Sequence, residues 1–239
     1  MKVSMIEARL EFDRDTLRGV LGAFLKLPSL LKPTRYCDDE ESEGELVGDG
    51  EAFLAAMSGY RAGFLLKGSG NVYDISIAGD KPIICNCFLE VDYHLAQEFL
   101  IHMATAKPIF GFACTPEEKE AKNRVTTRLR ANTIESWVGR DTRKYIPGLY
   151  WLTLLSTALA EKHNVSLSAI EGVALEHVEL EGGQHLFRFY EEPEKWRCAT
   201  EVAELSSSLP GVFNIEKVRP QIESVKNFLD LNAIIKNWK

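Results

Sequence analysis

Apolar and polar residues alternate at the start of the chain, where Ile6, Ala8, Leu10 and Phe12 interleave with Glu7, Arg9 and Glu11. A period of two predicts a strand with one buried face. The period then lengthens. Asp15 or Thr16 can cap a helix in which Leu17, Val20, Leu21, Phe24 and Leu25 share a face, and LPSLLKP stops it. A short helical piece, EAFLAAMS, leads into three β-type runs punctuated by Gly68, Gly70, Gly79 and Pro82, which predict an antiparallel meander. YHLAQEFLIHMATA puts Leu95, Phe99, Leu100 and Met103 on one helical side, and PIFGFAC reads as a short buried strand.

The most apolar part of the chain runs from Tyr145 to Val165. Its uncharged stretch is interrupted by Pro147 and Gly148 and ends in EKHN, which is short of the roughly 20 residues of a bilayer span. Pro147 suits the first turn of a helix, and Leu149, Leu152, Leu155 and Leu159 follow at helical spacing. Tyr150, Trp151 and Leu154 are apolar on the remaining sides, so the expectation is a central core helix. Next, Gly182 and Gly183 separate two β-rich runs as a hairpin turn, with the helical PEKWRCATEVAELSSSLP and then GVFNIEKV behind them.

This order, helix, hairpin, helix, strand, repeats that of the first half. Between the halves lies a mildly basic bridge holding Lys119, Lys122, Arg124, Arg128, Arg130, Arg140, Arg143 and Lys144 among interspersed acids. The C-terminal SVKNFLDLNAIIKNWK predicts a helix with Val225, Phe228, Leu229 and Ile234 or Ile235 as its apolar contacts. The resulting fold class is α+β: antiparallel sheet packed by helices, in two similar α-ββ-α-β halves around the central helix. The expected halves are residues 1–115 and 116–239, packed as one compact unit.

Charge adds one feature. The stretch from Cys37 to Glu51 carries eight acidic residues and no basic one, against a net charge of −7 for the whole chain. As an acidic loop it would attract a basic surface and speed encounter with it. A pI near 5.4 has the wrong sign for unaided phosphate binding, so nucleic acid is not an expected partner. The five cysteines form an odd set with no CxxC spacing, and the N-terminus has no apolar signal segment. Both suit a cytoplasmic protein without disulfide or zinc framework, and no membrane partner is expected.

Motifs with mechanical reasons for their spacing, such as a phosphate loop, a GxGxxG turn, an HExxH helix or a GxSxG elbow, do not occur. No cofactor is expected. Cys85 and Cys87 point to one side of a strand, where two buried thiols are ordinarily small hydrophobes rather than metal ligands. His94 and His102 fall on one side of a helix, while His177 and His185 flank the second hairpin turn with Glu176, Glu179 and Glu181 nearby. That hairpin is the one candidate for acid–base work, in a small hydrolase or transferase, although nothing in the sequence supplies a nucleophile.

FGFAC, then YIPGLYWLTLLS, then GGQHLFRFYEEPEKW and FNIEKVRPQI, together spanning about residues 108–222, resemble bacterial immunity proteins associated with type VI secretion toxins. The resemblance implies a protein that is not an enzyme and that neutralises a cognate secreted toxin by occluding its active site. Without a signal segment, the implied toxin acts in the cytosol, with a basic active-site surface. Asp38, Asp39, Glu40, Glu41, Glu43 and Glu45 are then the expected partner-binding residues. A regulatory binding module without a toxin is a further alternative.

Overall fold

A computed structural model describes residues 4–37, 43–46, 51–57 and 62–238. The chain opens with β1 (Ser4–Phe12), α1 (Leu17–Leu25), β2 (Arg35–Cys37), β3 (Glu43–Glu45) and α2 (Glu51–Met57). The meander follows as β4 (Gly63–Lys67), β5 (Asn71–Ser76) and β6 (Ile83–Val91), then α3 (Tyr93–Ala104) and β7 (Phe110–Cys114). The bridge folds as α4 (Pro116–Asn123), β8 (Arg124–Leu129) and β9 (Asn132–Trp137). Beyond it lie β10 (Leu152–Ser156), α5 (Thr157–Lys162), α6 (Leu167–Glu171), β11 (Glu176–Leu180) and β12 (Gln184–Arg188). The chain closes with α7 (Thr200–Ser208), α8 (Arg219–Glu223) and α9 (Phe228–Trp238).

Ten strands form one sheet in the order β11-β12-β10-β7-β1-β6-β5-β4-β2-β3, and β8 pairs with β9 separately. All the strand pairings are antiparallel, and helices pack on the sheet, so the class is α+β. The main sheet takes strands from both sides of residue 115. Among the described residues no helix is long and apolar enough to cross a membrane.

β1 lies at the middle of this sheet. Ile6, Ala8, Leu10 and Phe12 are fully buried, in the core that also holds Val20, Leu21 and Phe24 of α1 and Phe99, Leu100 and Met103 of α3. The polar face of β1 is covered too: Glu7, Arg9 and Glu11 are no more than 6% exposed. The strand is therefore buried on both faces, not on one as the alternation predicts, because α4 packs across its charged side.

The expected core helix is a strand instead. β10 sits between β7 and β12, and the helix begins only at Thr157, after Ser156 caps it by accepting from the Leu159 N–H. A run without charge, polar only at Thr153 and Ser156, satisfies both the helical and the strand period, and it suits a strand covered on both faces by apolar packing. Correcting this element tightens the parallel between the halves. In each, a leading strand (β1 or β10) is followed by helix and hairpin, and pairs with the hairpin's last strand (β6 or β12).

Three smaller expectations also change. The acidic stretch is not all loop, since β3 pairs with β2 within it and Glu51 starts α2. GVFNIEKV contributes a single bridge, Val212 to Ile146, and a 3-10 turn rather than a strand. On α9 the buried contacts are Leu231 and Ile235, while Phe228 and Leu229 are exposed. Leu231 and Ile235 join Val125, Val138, Tyr145, Phe213 and Val218 in a second, smaller core beneath β8–β9.

Candidate functional site

Three groups of polar residues are candidates. The first is the acidic run. Asp38, Asp39, Glu40 and Glu41 lie outside the described residues. Glu43 and Glu45 lie on β3, which ends the ten-stranded sheet and, among the described residues, has no strand on its outer side. Glu45 is exposed and stands opposite Arg35 in the register, and Glu43 stands opposite Cys37. Glu43 and Glu45 are thus at the rim of the sheet and away from the β1 core.

The second group is on the β11–β12 hairpin. His177 Nε2 and His185 Nδ1 are 3.1 Å apart, His185 Nε2 is 3.0 Å from Thr157 Oγ1, and His177 Nδ1 is 3.3 Å from Glu171 Oε1. The pairing of β10 with β12 brings Thr157 to this position, since Ser156 stands opposite Gln184. Both imidazoles stack in series with Phe187, with His177 to Phe187 centroids at 4.5 Å.

Burial and the neighbouring His177 pull the His185 value below that of a free imidazole, which keeps this ring neutral. With His185 neutral, the Thr157 hydroxyl can donate to it, His185 Nδ1–H to His177, and His177 Nδ1–H to Glu171, all without net charge on either ring. Alternatively Thr157 donates to the Gly183 carbonyl at 3.1 Å and its oxygen accepts from His185 Nε2–H. The first arrangement is that of a hydroxyl with a general base behind it. Thr157 lines a surface cleft with Lys107, Lys162 and Gly183. Sequence reading identified the two histidines but neither Thr157 nor Glu171.

The third group was missed altogether. TPEEKEAKN opens the stretch read as a mildly basic bridge, and it folds as a helix that Thr115 caps, accepting from the Glu118 N–H with Pro116 in the first turn. Yet Glu118 is fully buried and Lys119 is 8% exposed. Lys119 pairs with Glu7 of β1, Arg9 Nη2 donates to Glu11 at 3.0 Å, and the Thr142 hydroxyl donates to the other Glu11 oxygen at 2.8 Å. Glu118 accepts from Lys122 and from the Tyr190 hydroxyl.

Burial lowers the Lys119 ammonium to about 8, with Glu120 opposing, and raises the Glu118 carboxyl, with Lys122 and Tyr190 opposing. This lattice ties α4 to β1 by charge where the opposite face is tied by apolar packing. The one signal in the sequence is that Glu7, Arg9 and Glu11 need partners if their strand is central.

The remaining candidate ligands stay apart. Cys85 and Cys87 are buried neighbours with sulfurs 3.4 Å apart, and burial pushes the Cys87 thiol up. No group of three or more His, Cys, Asp or Glu suited to a metal occurs among the described residues. His94 is exposed, and His102 Nδ1 is 3.0 Å from the Glu98 carbonyl. No protein-family model, curated protein or solved structure matches the chain.

Proposed function

We propose that this chain is an immunity protein that binds a cognate secreted bacterial toxin and occludes a basic active site, acting in the cytosol. The reading rests on the resemblance of residues 108–222 to type VI secretion immunity proteins. The observation that carries the contact surface is the exposed Glu45 on the outermost strand, at the rim of the ten-stranded sheet. Carboxylates there meet a partner without displacing the core. Charges at a rim chiefly steer encounter, so their removal acts on association rate and salt dependence.

The test is to replace Asp38, Asp39, Glu40, Glu41, Glu43 and Glu45 together by Asn or Gln and measure association with the toxin at low and high salt. Association should slow by about tenfold or more at low salt and lose most of its salt dependence. An unchanged rate and slope would remove this segment from the interface.

The chain of hydrogen bonds from Glu171 to Thr157 favours one second reading, a hydrolase or transferase with Thr157 as nucleophile. An electrophilic fluorophosphonate should then label Thr157, and His185→Ala should abolish the label. Absence of label in the folded wild-type protein removes that reading.

A further inference from the structure

A cleft of about 770 Å³ opens between the start of β6, the end of β9, the loop 140–144 and α9, with β1 as its floor. Six cationic side chains line it: Arg9, Lys81, Arg140, Arg143, Lys144 and Lys236. Its three carboxylates are already engaged. Glu11 binds Arg9 and Thr142, Asp141 binds Arg143 at 2.9 Å, and Glu135 pairs with Arg124 outside the cleft.

Lys144 is held by the backbone carbonyls of Lys236 and Asn237. Among the described residues, Lys81, Arg140 and Lys236 have no carboxylate partner, and Arg140 lies over the Trp137 ring at 5.6 Å. The floor adds an independent observation. Arg9 is 6% exposed, and its Nη1 has no hydrogen-bond partner among the described residues. A buried guanidinium nitrogen without an acceptor costs free energy, and an anion in the cleft would complete its set.

We propose that this cleft is a binding site for an oligophosphate, either inorganic or the phosphate tail of a nucleotide. Six lining cations against three lining carboxylates leave an excess of three positive charges among the lining residues, with Asp80 acting on Arg143 from beside the cleft, in a chain whose net charge is −7. A single carboxylate or monophosphate cannot match that excess, whereas a triphosphate can. The volume accommodates a ligand of nucleotide size. Lys81 and Lys236 approach from the rim, Arg140 from the wall and Arg9 from below, so phosphate oxygens meet donors from four elements. The site lies on β1, at the middle of the sheet, and is independent of the acidic rim and its proposed partner.

The experiment is calorimetric titration of the whole chain with sodium tripolyphosphate, ATP and an oligoglutamate peptide, at matched ionic strength. Wild-type protein should bind tripolyphosphate saturably and one to one. Arg140→Ala should weaken binding about tenfold, as loss of one charge-assisted contact. Lys81→Ala with Lys236→Ala should weaken it further, at exposed positions where folding is not at stake and can be checked by circular dichroism. Equal affinity for ATP places recognition on the phosphates, and tighter ATP binding adds a nucleoside contact; both support the site. No saturable binding, equal binding by the folded variants, or a preference for oligoglutamate overturns it.

Discussion

Replacing Glu7 by Gln removes one charge from a buried pair while keeping its shape. Lys119, 8% exposed, then loses its carboxylate partner on β1. An uncompensated buried charge costs about 3–5 kcal/mol, but a lysine can release its proton, and the cheaper outcome prevails. In the wild-type fold the ammonium titrates at about 8, one pH unit above neutrality, so at pH 7 its charged form is favoured by only about 1.4 kcal/mol. Glu7→Gln removes the carboxylate paired with that ammonium and forfeits at most that amount, together with about 1 kcal/mol for the weakened hydrogen bond.

The expected loss is therefore at most about 2–3 kcal/mol at pH 7. By pH 9 the wild-type lysine has itself shed its proton, and the loss should shrink by up to about 1.4 kcal/mol. The sign for wild type follows from the same value. Lys119 titrates lower in the fold than its ordinary 10.5, so the unfolded chain binds more protons between about 8 and 10.5 and this group's contribution to stability rises with pH across that window. Urea unfolding of both proteins at pH 7 and pH 9 provides the comparison. A loss that is the same at the two pH values would refute the coupling of Lys119 to Glu7.

Other expectations follow from single contacts. Gly139 has φ +70°, and a Cβ there would collide with the Phe213 ring. Gly139→Ala should therefore lower stability by about 2–5 kcal/mol, combining left-handed strain with overpacking, and Phe213→Ala in the same chain should recover the overlap part. His185 titrates below the ordinary 6.5, so the unfolded chain binds the extra proton and stability from this group is lost as pH falls below about 6.5. In NMR titration its ring should remain neutral after a free imidazole has protonated, and His185→Asn should lessen the acid sensitivity.

The elements legible in the sequence are those whose two faces differ. The alternation around Ile6, the Gly-punctuated meander and the Phe99 face of α3 each match one period and fail the other. β10 fails this test because Leu149 to Leu155 carries no charge and only Thr153 interrupts its apolar run, so its neighbours β7 and β12 decide its conformation. α4 is hidden for the opposite reason: its residues are legible only as part of a mildly basic bridge, and only the central position of β1 makes Glu118 and Lys119 partners of a buried strand. For the candidate sites, a hairpin suffices to bring His177 to His185. Thr157 arrives through the β10–β12 pairing and Glu171 from the end of α6, which local pattern does not encode. The cleft is more distant still, since Arg9, Lys81, Arg140 and Lys236 meet only in the tertiary fold.

The immunity reading is tested most directly by viable counts of cells expressing the neighbouring reading frame, with and without this chain. A toxic neighbour rescued by the wild-type chain, and rescued less well by the six-acid variant, is the predicted result. A toxic neighbour left unrescued by demonstrably expressed, folded protein, or a neighbour that is harmless when expressed, would contradict that pairing.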